Sequence, residues 1–96
     1  MIARIWHGRT RIEHLDEYTD YIEKSGIAGL RGTPGNRAAM IFRRENGAEA
    51  EFLVVSFWES MEAVKAFAGE PLERAVYYPE DEKYLLEFEP EVVHYE

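Results

Sequence analysis

His7 closes a short apolar run at the start of the chain, Ile2-Ala3-Arg4-Ile5-Trp6-His7. An imidazole titrates near neutrality and suits proton removal from a phenol. Alternation along a strand groups Ala3, Ile5 and His7 on one face. Small Ala3 fits beneath a helix, so this row is expected on the helix side of a sheet, with His7 at a pocket mouth. Tyr77 and Tyr78 precede Pro79 in an irregular stretch, where phenols can line a pocket, donate hydrogen bonds or ligate iron. Tyr18 and Phe67 fall on the inner stripes of two helices and complete the set of candidate substrate-binding residues. Each has a plainer reading. His7 can bond to loop backbone, the tyrosines can pack short helices together, and Tyr18 and Phe67 can be core. Trp6 and Trp58 read as structural residues or as part of an interface.

Other chemistries are poorly served. The chain has no cysteine, which removes disulfides, thiolate catalysis and thiolate metal sites. His14 sits in the first turn of an acidic helix. His94, near the end of the chain, falls opposite the start of the first strand and far from His7, so no metal pair is expected. Arg4 stands mid-strand, and Glu51 is its expected partner if it is buried. The glycines of 26–35 do not follow a strand and open a helix, so they lack the context of a dinucleotide loop. Ser25, Ser56 and Ser60 lack the setting of a nucleophile elbow.

The elements that must position these residues follow from pattern. Residues 2–7 read as a strand broken by Gly8. Thr10-Arg11-Ile12-Glu13 has the form of a capping box. Ile12, Leu15, Tyr18 and Ile22 follow at helical spacing, with Gly26 as the expected C-cap. Residues 26–36 form an ordered loop tucked in by Ile27 and Leu30. Residues 37–44 and 50–58 are strands joined by a turn at Asn46-Gly47. Ser60 caps a second helix, whose buried stripe includes Val64 and Phe67 and which ends at Gly69. Pro71 and Pro79 each suit the first turn of a short helical piece. Residues 87–95 form a last strand, irregular near Pro90. The order βαββαβ with right-handed crossovers gives an α+β, ferredoxin-like domain over residues 1–96, a four-stranded antiparallel sheet with both helices on one face.

Composition bounds the partners. Hydrophobic residues make up 46% of the 96, too many for a disordered chain. No run approaches the roughly 20 apolar residues of a membrane span. The N-terminus lacks the apolar core of a signal peptide, and with no disulfides available the expected location is the cytoplasm. Residues 1–58 hold eight acids and eight Lys or Arg, whereas residues 59–96 hold eleven acids and three bases. An acidic half of this kind repels phosphate backbones, so nucleic acid is not an expected partner.

A sheet with helices on one side should show one apolar face. The third strand shows two, with Phe52, Val54, Ser56 and Trp58 opposing Leu53, Val55 and Phe57. The second is similar, with Met40 and Phe42 opposing Ala39 and Ile41. The simplest cover for the second face is another copy of the chain, a homodimer.

Ile2-Ala3-Arg4-Ile5-Trp6, the Gly-Pro-rich loop before the second strand, Phe57-Trp58-Glu59-Ser60 running into Ala63-Val64-Lys65-Ala66-Phe67-Ala68-Gly69, and the closing Val93-His94-Tyr95 together resemble the antibiotic biosynthesis monooxygenase family of the dimeric α/β-barrel superfamily. The resemblance implies a pocket between helices and sheet. It also implies one of three activities: oxidation of aromatic substrates by O₂ without a cofactor, haem binding with degradation, or neither. The haem-degrading branch carries an asparagine on the first strand, a tryptophan on the second helix and a histidine shortly after it. The best-matching positions are His7, Phe67 and Tyr77-Tyr78, none of the expected type, and Asn36 and Asn46 both fall in loops. The leading expectation is therefore a cofactor-independent monooxygenase of a small aromatic molecule. The alternatives are a non-catalytic protein for haem or another aromatic ligand, and a haem degrader with a non-standard site. The oxygenase reading requires an open cavity beside His7. A purely structural dimer requires that Tyr18, Phe67 and Tyr77 fill the space.

Overall fold

The computed structural model describes residues 1–96. The chain runs through β1 (Ile2–Arg11), α1 (Leu15–Ile22), α2 (Ala28–Arg31), β2 (Asn36–Asn46), β3 (Glu49–Trp58), α3 (Met61–Ala68) and β4 (Val93–Tyr95). The strands form one antiparallel sheet in the order β2-β3-β1-β4. This is the ferredoxin-like arrangement that the βαββαβ pattern implies.

The register of β1 on β3 decides which residues meet the helices. It pairs Ile2 with Trp58, Arg4 with Ser56, Trp6 with Val54, Gly8 with Phe52 and Thr10 with Ala50. Directly paired residues share a face. Phe52, Trp58, Ser56 and Ala50 are buried against the helices. The row Arg4, Trp6, Gly8 therefore faces the helices, and Ala3, Ile5 and His7 face the other way. This reverses the expectation drawn from Ala3. Alternation fixes which residues travel together, but not which row points inward, and here the buried row is the one that carries a charge.

β1 also runs straight through Gly8, which was expected to break it. A Cβ at Gly8 would lie 2.3 Å from Cη2 of Trp6. The missing side chain makes room for the Trp6 indole, which lies back over the strand; this is a close-approach glycine, not a breaker. Thr10 consequently stays in the strand. Its hydroxyl donates to the Arg11 carbonyl at 2.9 Å instead of capping a helix, and a 3₁₀ turn at Ile12–His14 leads into α1.

The stripe of α1 is as expected, with Tyr18 and Ile22 buried and Ile12 and Leu15 packed against the core. The helix does not end at Gly26. It widens into a π turn at Glu23–Ile27 and continues as α2, burying Ile27 and Leu30. A Cβ at Gly26 would be 3.7 Å from Cε2 of Tyr78, and one at Gly29 would be 3.2 Å from its hydroxyl. The glycines leave this helical run bare where Tyr78 packs on it.

The hairpin turn is Gly47-Ala48, one residue later than expected. Asn46 and Glu49 form the last pair, and Gly47 has φ 65° with no non-glycine residue at positive φ. That is the two-residue turn with glycine in its first central position. Ser60 caps α3 as expected, accepting from the Ala63 amide at 3.2 Å, and Gly69 at φ 75° ends it.

The segment 69–92 is largely irregular. Pro71 begins a turn, and only Asp81–Lys83 makes a 3₁₀ turn after Pro79. β4 is three residues long and not nine. Pro90 has no N–H for a ladder, and its neighbourhood pairs instead with residues 73–75, through Ala75 N–H to Pro90 O at 2.9 Å and Val92 N–H to Glu73 O at 2.7 Å. Gly8→Ala should cost about 1–3 kcal/mol, as overpacking does, with most of the loss recovered in the Trp6→Phe background. Urea midpoints of the single and double variants test this; equal losses in both backgrounds would contradict it.

Candidate functional site

A cleft with an open mouth lies between the helices and the sheet. Trp6, Val54 and Ser56 form its floor from the strands. Tyr18, Ile22 and Leu30 come from the first helical run, and Phe67 from α3. Val76, Tyr78, Asp81 and Val92 close it from the irregular segment. The lining is mostly apolar and aromatic, with a few polar groups at defined points, the usual make-up of a small-molecule site.

Three of the expected binding residues, Tyr18, Phe67 and Tyr78, line this cleft. Tyr77 does not. Its ring stacks on Phe88 with centroids 4.6 Å apart and meets Trp6 edge-on at 6.2 Å, and its hydroxyl donates to the Glu89 carbonyl. It supports Trp6 from behind. Trp58 is wholly buried in the core, and its indole N–H donates to Ser56 Oγ at 2.9 Å; neither tryptophan is on the outer face. The space is open and not filled by side chains, but it is not beside His7.

The polar groups of the wall are ordered by their partners. Asp81 is buried and accepts from the Tyr18 hydroxyl at 2.9 Å and the Tyr78 amide at 2.7 Å. Burial pushes its carboxyl up, against the pull of those two donors. Burial, then the charge of Asp81, pushes Tyr18 far above the ordinary phenol range and raises Tyr78 as well. Both phenols therefore stay protonated. Trp6 Nε1 is buried without a hydrogen-bond acceptor.

Arg4 is 4% exposed, and its expected partner Glu51 is on the opposite face of the sheet. Its guanidinium instead donates to Leu72 O at 2.8 Å and Arg74 O at 3.0 Å, approaches His94 Nε2 at 3.1 Å, and lies 5.7 Å from the centre of the Phe67 ring. Because arginine has only donors, His94 Nε2 must accept, which places its proton on Nδ1. Burial and then the Arg4 charge lower the His94 pKa, in keeping with a neutral ring.

His7 lies on the outer face. Its ring sits between two carboxylates, Nδ1 2.5 Å from Glu89 Oε2 and Nε2 2.9 Å from Glu51 Oε2, and Glu51 also binds Arg44 Nε at 2.5 Å. The role of base at the cleft mouth does not fit this position. The sequence reading missed Arg4, Asp81 and Val76 as cleft residues. A charge in an otherwise apolar strand was the available signal for Arg4; nothing in the sequence marked the other two.

The sequence profile of the antibiotic biosynthesis monooxygenase family matches residues 1–76. The chain belongs to that family. No curated protein sequence matches it. Among solved structures it is similar to the haem degrader MhuD of Mycobacterium tuberculosis, solved with two haems in its active site, at 20% identity and a TM-score of 0.64, with 100% of this chain and 94% of that chain covered. A mutant of MhuD with two manganese protoporphyrin IX groups per active site gives 20% identity and a TM-score of 0.60, covering 100% and 93%. These likenesses establish the fold that this family member shares.

The wall of the cleft does not fit a ligated haem. No histidine, cysteine or methionine lines it. The Tyr18 hydroxyl is engaged in donating to Asp81, and burial, then the charge of Asp81, raises the Tyr78 pKa. Between Phe67 and Tyr78 the wall residue is Val76.

The His7 cluster has a pH signature. Burial of the ring draws its pKa down, but its hydrogen bonds to Glu51 and Glu89 and their charges outweigh this and raise it above the ordinary imidazole value. A raised folded-state pKa gives stability that is full below the unfolded value and lost as pH rises through the folded value. Wild type should therefore exceed His7→Gln by roughly 0.5–1 kcal/mol near pH 6, with the gap closing as pH rises past the ordinary imidazole range. Urea melts across pH test this; a gap that widens with pH would contradict it.

Proposed function

We propose that this chain is a cofactor-independent oxygenase that binds a small aromatic substrate in the helix-side cleft and works as a homodimer. The observation that carries the reading is the cleft itself. It is open, walled by Trp6, Tyr18, Phe67 and Tyr78, and lies between helices and sheet in a chain of a monooxygenase family. Aromatic walls of this kind hold flat rings by stacking and edge contacts. A wall without histidine, cysteine or methionine favours a ring substrate over a catalytic haem.

Without an external reductant, the electron balance suits a ring CH₂ group that becomes C=O. One oxygen atom of O₂ enters the carbon, and the other leaves as water with the two hydrogens. Water exclusion by the apolar walls protects the reactive intermediate. Tyr78 and Phe67 position the ring; His7, on the far face, takes no part.

The dimer rests on the outer face. Met40, Phe42 and Leu53 are 39%, 53% and 36% exposed on neighbouring strands, and Val93 and Tyr95 extend the patch on β4 at 52% and 58%. A second copy apposed by a two-fold axis would cover all of these at once. Sedimentation equilibrium should give twice the chain mass, reverting to the chain mass in Leu53→Glu.

Oxygen-electrode assays with a panel of phenols, hydroquinones and anthrones should show protein-dependent O₂ uptake without added metal or flavin. Phe67→Ala should lower kcat/KM about tenfold or more, the range expected when a ring contact is lost. Absence of uptake with every ring, together with a saturable Soret change on haemin titration, would overturn the reading in favour of haem.

A further inference from the structure

Arg4 is a buried charge without a counter-charge. No carboxylate oxygen lies within 4.0 Å of its guanidinium; every carboxylate that pairs with a base in this protein pairs elsewhere. Glu73 reaches it only through its field, which opposes the larger effect of burial. In a chain of net charge −8 this is notable, since acids are plentiful. A buried arginine left with neutral acceptors is costly unless something else completes it.

Its donors can be counted. Nη1 uses two N–H groups, on Leu72 O and His94 Nε2, and Nη2 uses one, on Arg74 O. A guanidinium has five. The second N–H of Nη2 and that of Nε have no acceptor, and Arg4 lines the cleft. The three neutral acceptors fix the guanidinium plane, and Phe67 stacks near it at 5.7 Å. This is a preorganised fork with its charge unspent, at the edge of an aromatic pocket.

We infer that Arg4 is the specificity-determining residue of the cleft, and that the ligand it selects is an aromatic anion, a ring bearing a carboxylate or an ionised phenol. This rests on the cleft being the binding site proposed above, and it adds the charge of what enters. Asp81, the one carboxylate on the wall, does not pair with the fork: neither of its oxygens lies within 4.0 Å of the guanidinium, and they accept instead from the Tyr18 hydroxyl and the Tyr78 amide. Neutral His94 acts as a positioning residue, holding Nη1 without competing for the anion. The inference also supplies what the oxygenase reading lacks after His7 leaves it. A cation at the pocket edge favours the phenolate over the phenol, and the phenolate is the form that gives electrons to O₂.

The test uses the full chain and two probes of the same shape, 2-naphthoate and its neutral counterpart 2-naphthamide, titrated by isothermal calorimetry. Wild type should bind the naphthoate at least about tenfold more tightly, as expected for hydrogen bonds to a charged group. Arg4→Gln should bring the two affinities together by weakening the naphthoate alone. Arg4→Lys, which keeps the charge but loses the fork, should retain only part of the preference. It also serves if the glutamine variant loses its fold with the Leu72 and Arg74 contacts. Equal binding of both probes by wild type, or a preference undiminished in Arg4→Lys and Arg4→Gln, would overturn the role of Arg4 while leaving the cleft as a site. Binding of neither probe would overturn the cleft reading and this inference with it.

Discussion

A guanidinium can be buried only if its N–H groups find acceptors, and in this protein that requirement organises the end of the chain. The segment 69–92 has almost no regular structure of its own, so few ladder bonds hold it in place. Arg4 reaches from the sheet to the carbonyls of Leu72 and Arg74 and to His94 on β4. Tyr18 reaches from α1 to Asp81, and Tyr77 ties to Glu89. These polar contacts fasten the segment as a wall, and the cleft exists because the wall stands away from the sheet between its attachments. Val76, Tyr78 and Asp81 are cleft residues for this reason.

The same alternation that turns Arg4 inward turns His7 outward, and the two faces of the sheet acquire different tasks. The inner face carries one cation with spare donors among aromatic rings. The outer face carries an apolar patch with a histidine clamped between carboxylates at its side. A ligand that needs shelter from water belongs on the first. The proposed second copy of the chain, which needs area and shape more than single contacts, would lie on the second. Small domains of this size bury limited core of their own, so covering the outer face in the proposed dimer would add stability.

Most of the fold was legible in the sequence because it rests on local rules. The α1 stripe, the Ser60 cap, the stop at Gly69 and the doubly apolar β3 each follow from spacing and side-chain type. Several departures from the expected fold share a cause, which is that a glycine that looks like punctuation in the sequence is a space in the fold. Gly8 makes room for Trp6, and Gly26 and Gly29 for Tyr78; both contacts are long-range and leave no local trace. The inward row of β1 is likewise set at long range, since only the register with β3 shows that a charged residue is the buried one. Of the site, Tyr18, Phe67 and Tyr78 were legible from helical stripes and turn context. Arg4 was noticed, but its partners are backbone carbonyls of a distant loop, which no residue pattern announces.

A ligand that enters the helix-side cleft should meet Arg4 there. A ¹⁵N-labelled sample titrated with 2-naphthoate and followed by two-dimensional ¹H–¹⁵N NMR tests this most directly, because the indole N–H of Trp6 makes no hydrogen bond and reports on the cleft floor. That indole signal should shift saturably together with the amides of Phe67, Val76 and Tyr78, while Leu53 and Phe42 stay still. Shifts confined to the outer face around His7, Leu53 and Phe42, with the Trp6 indole unmoved, would contradict it.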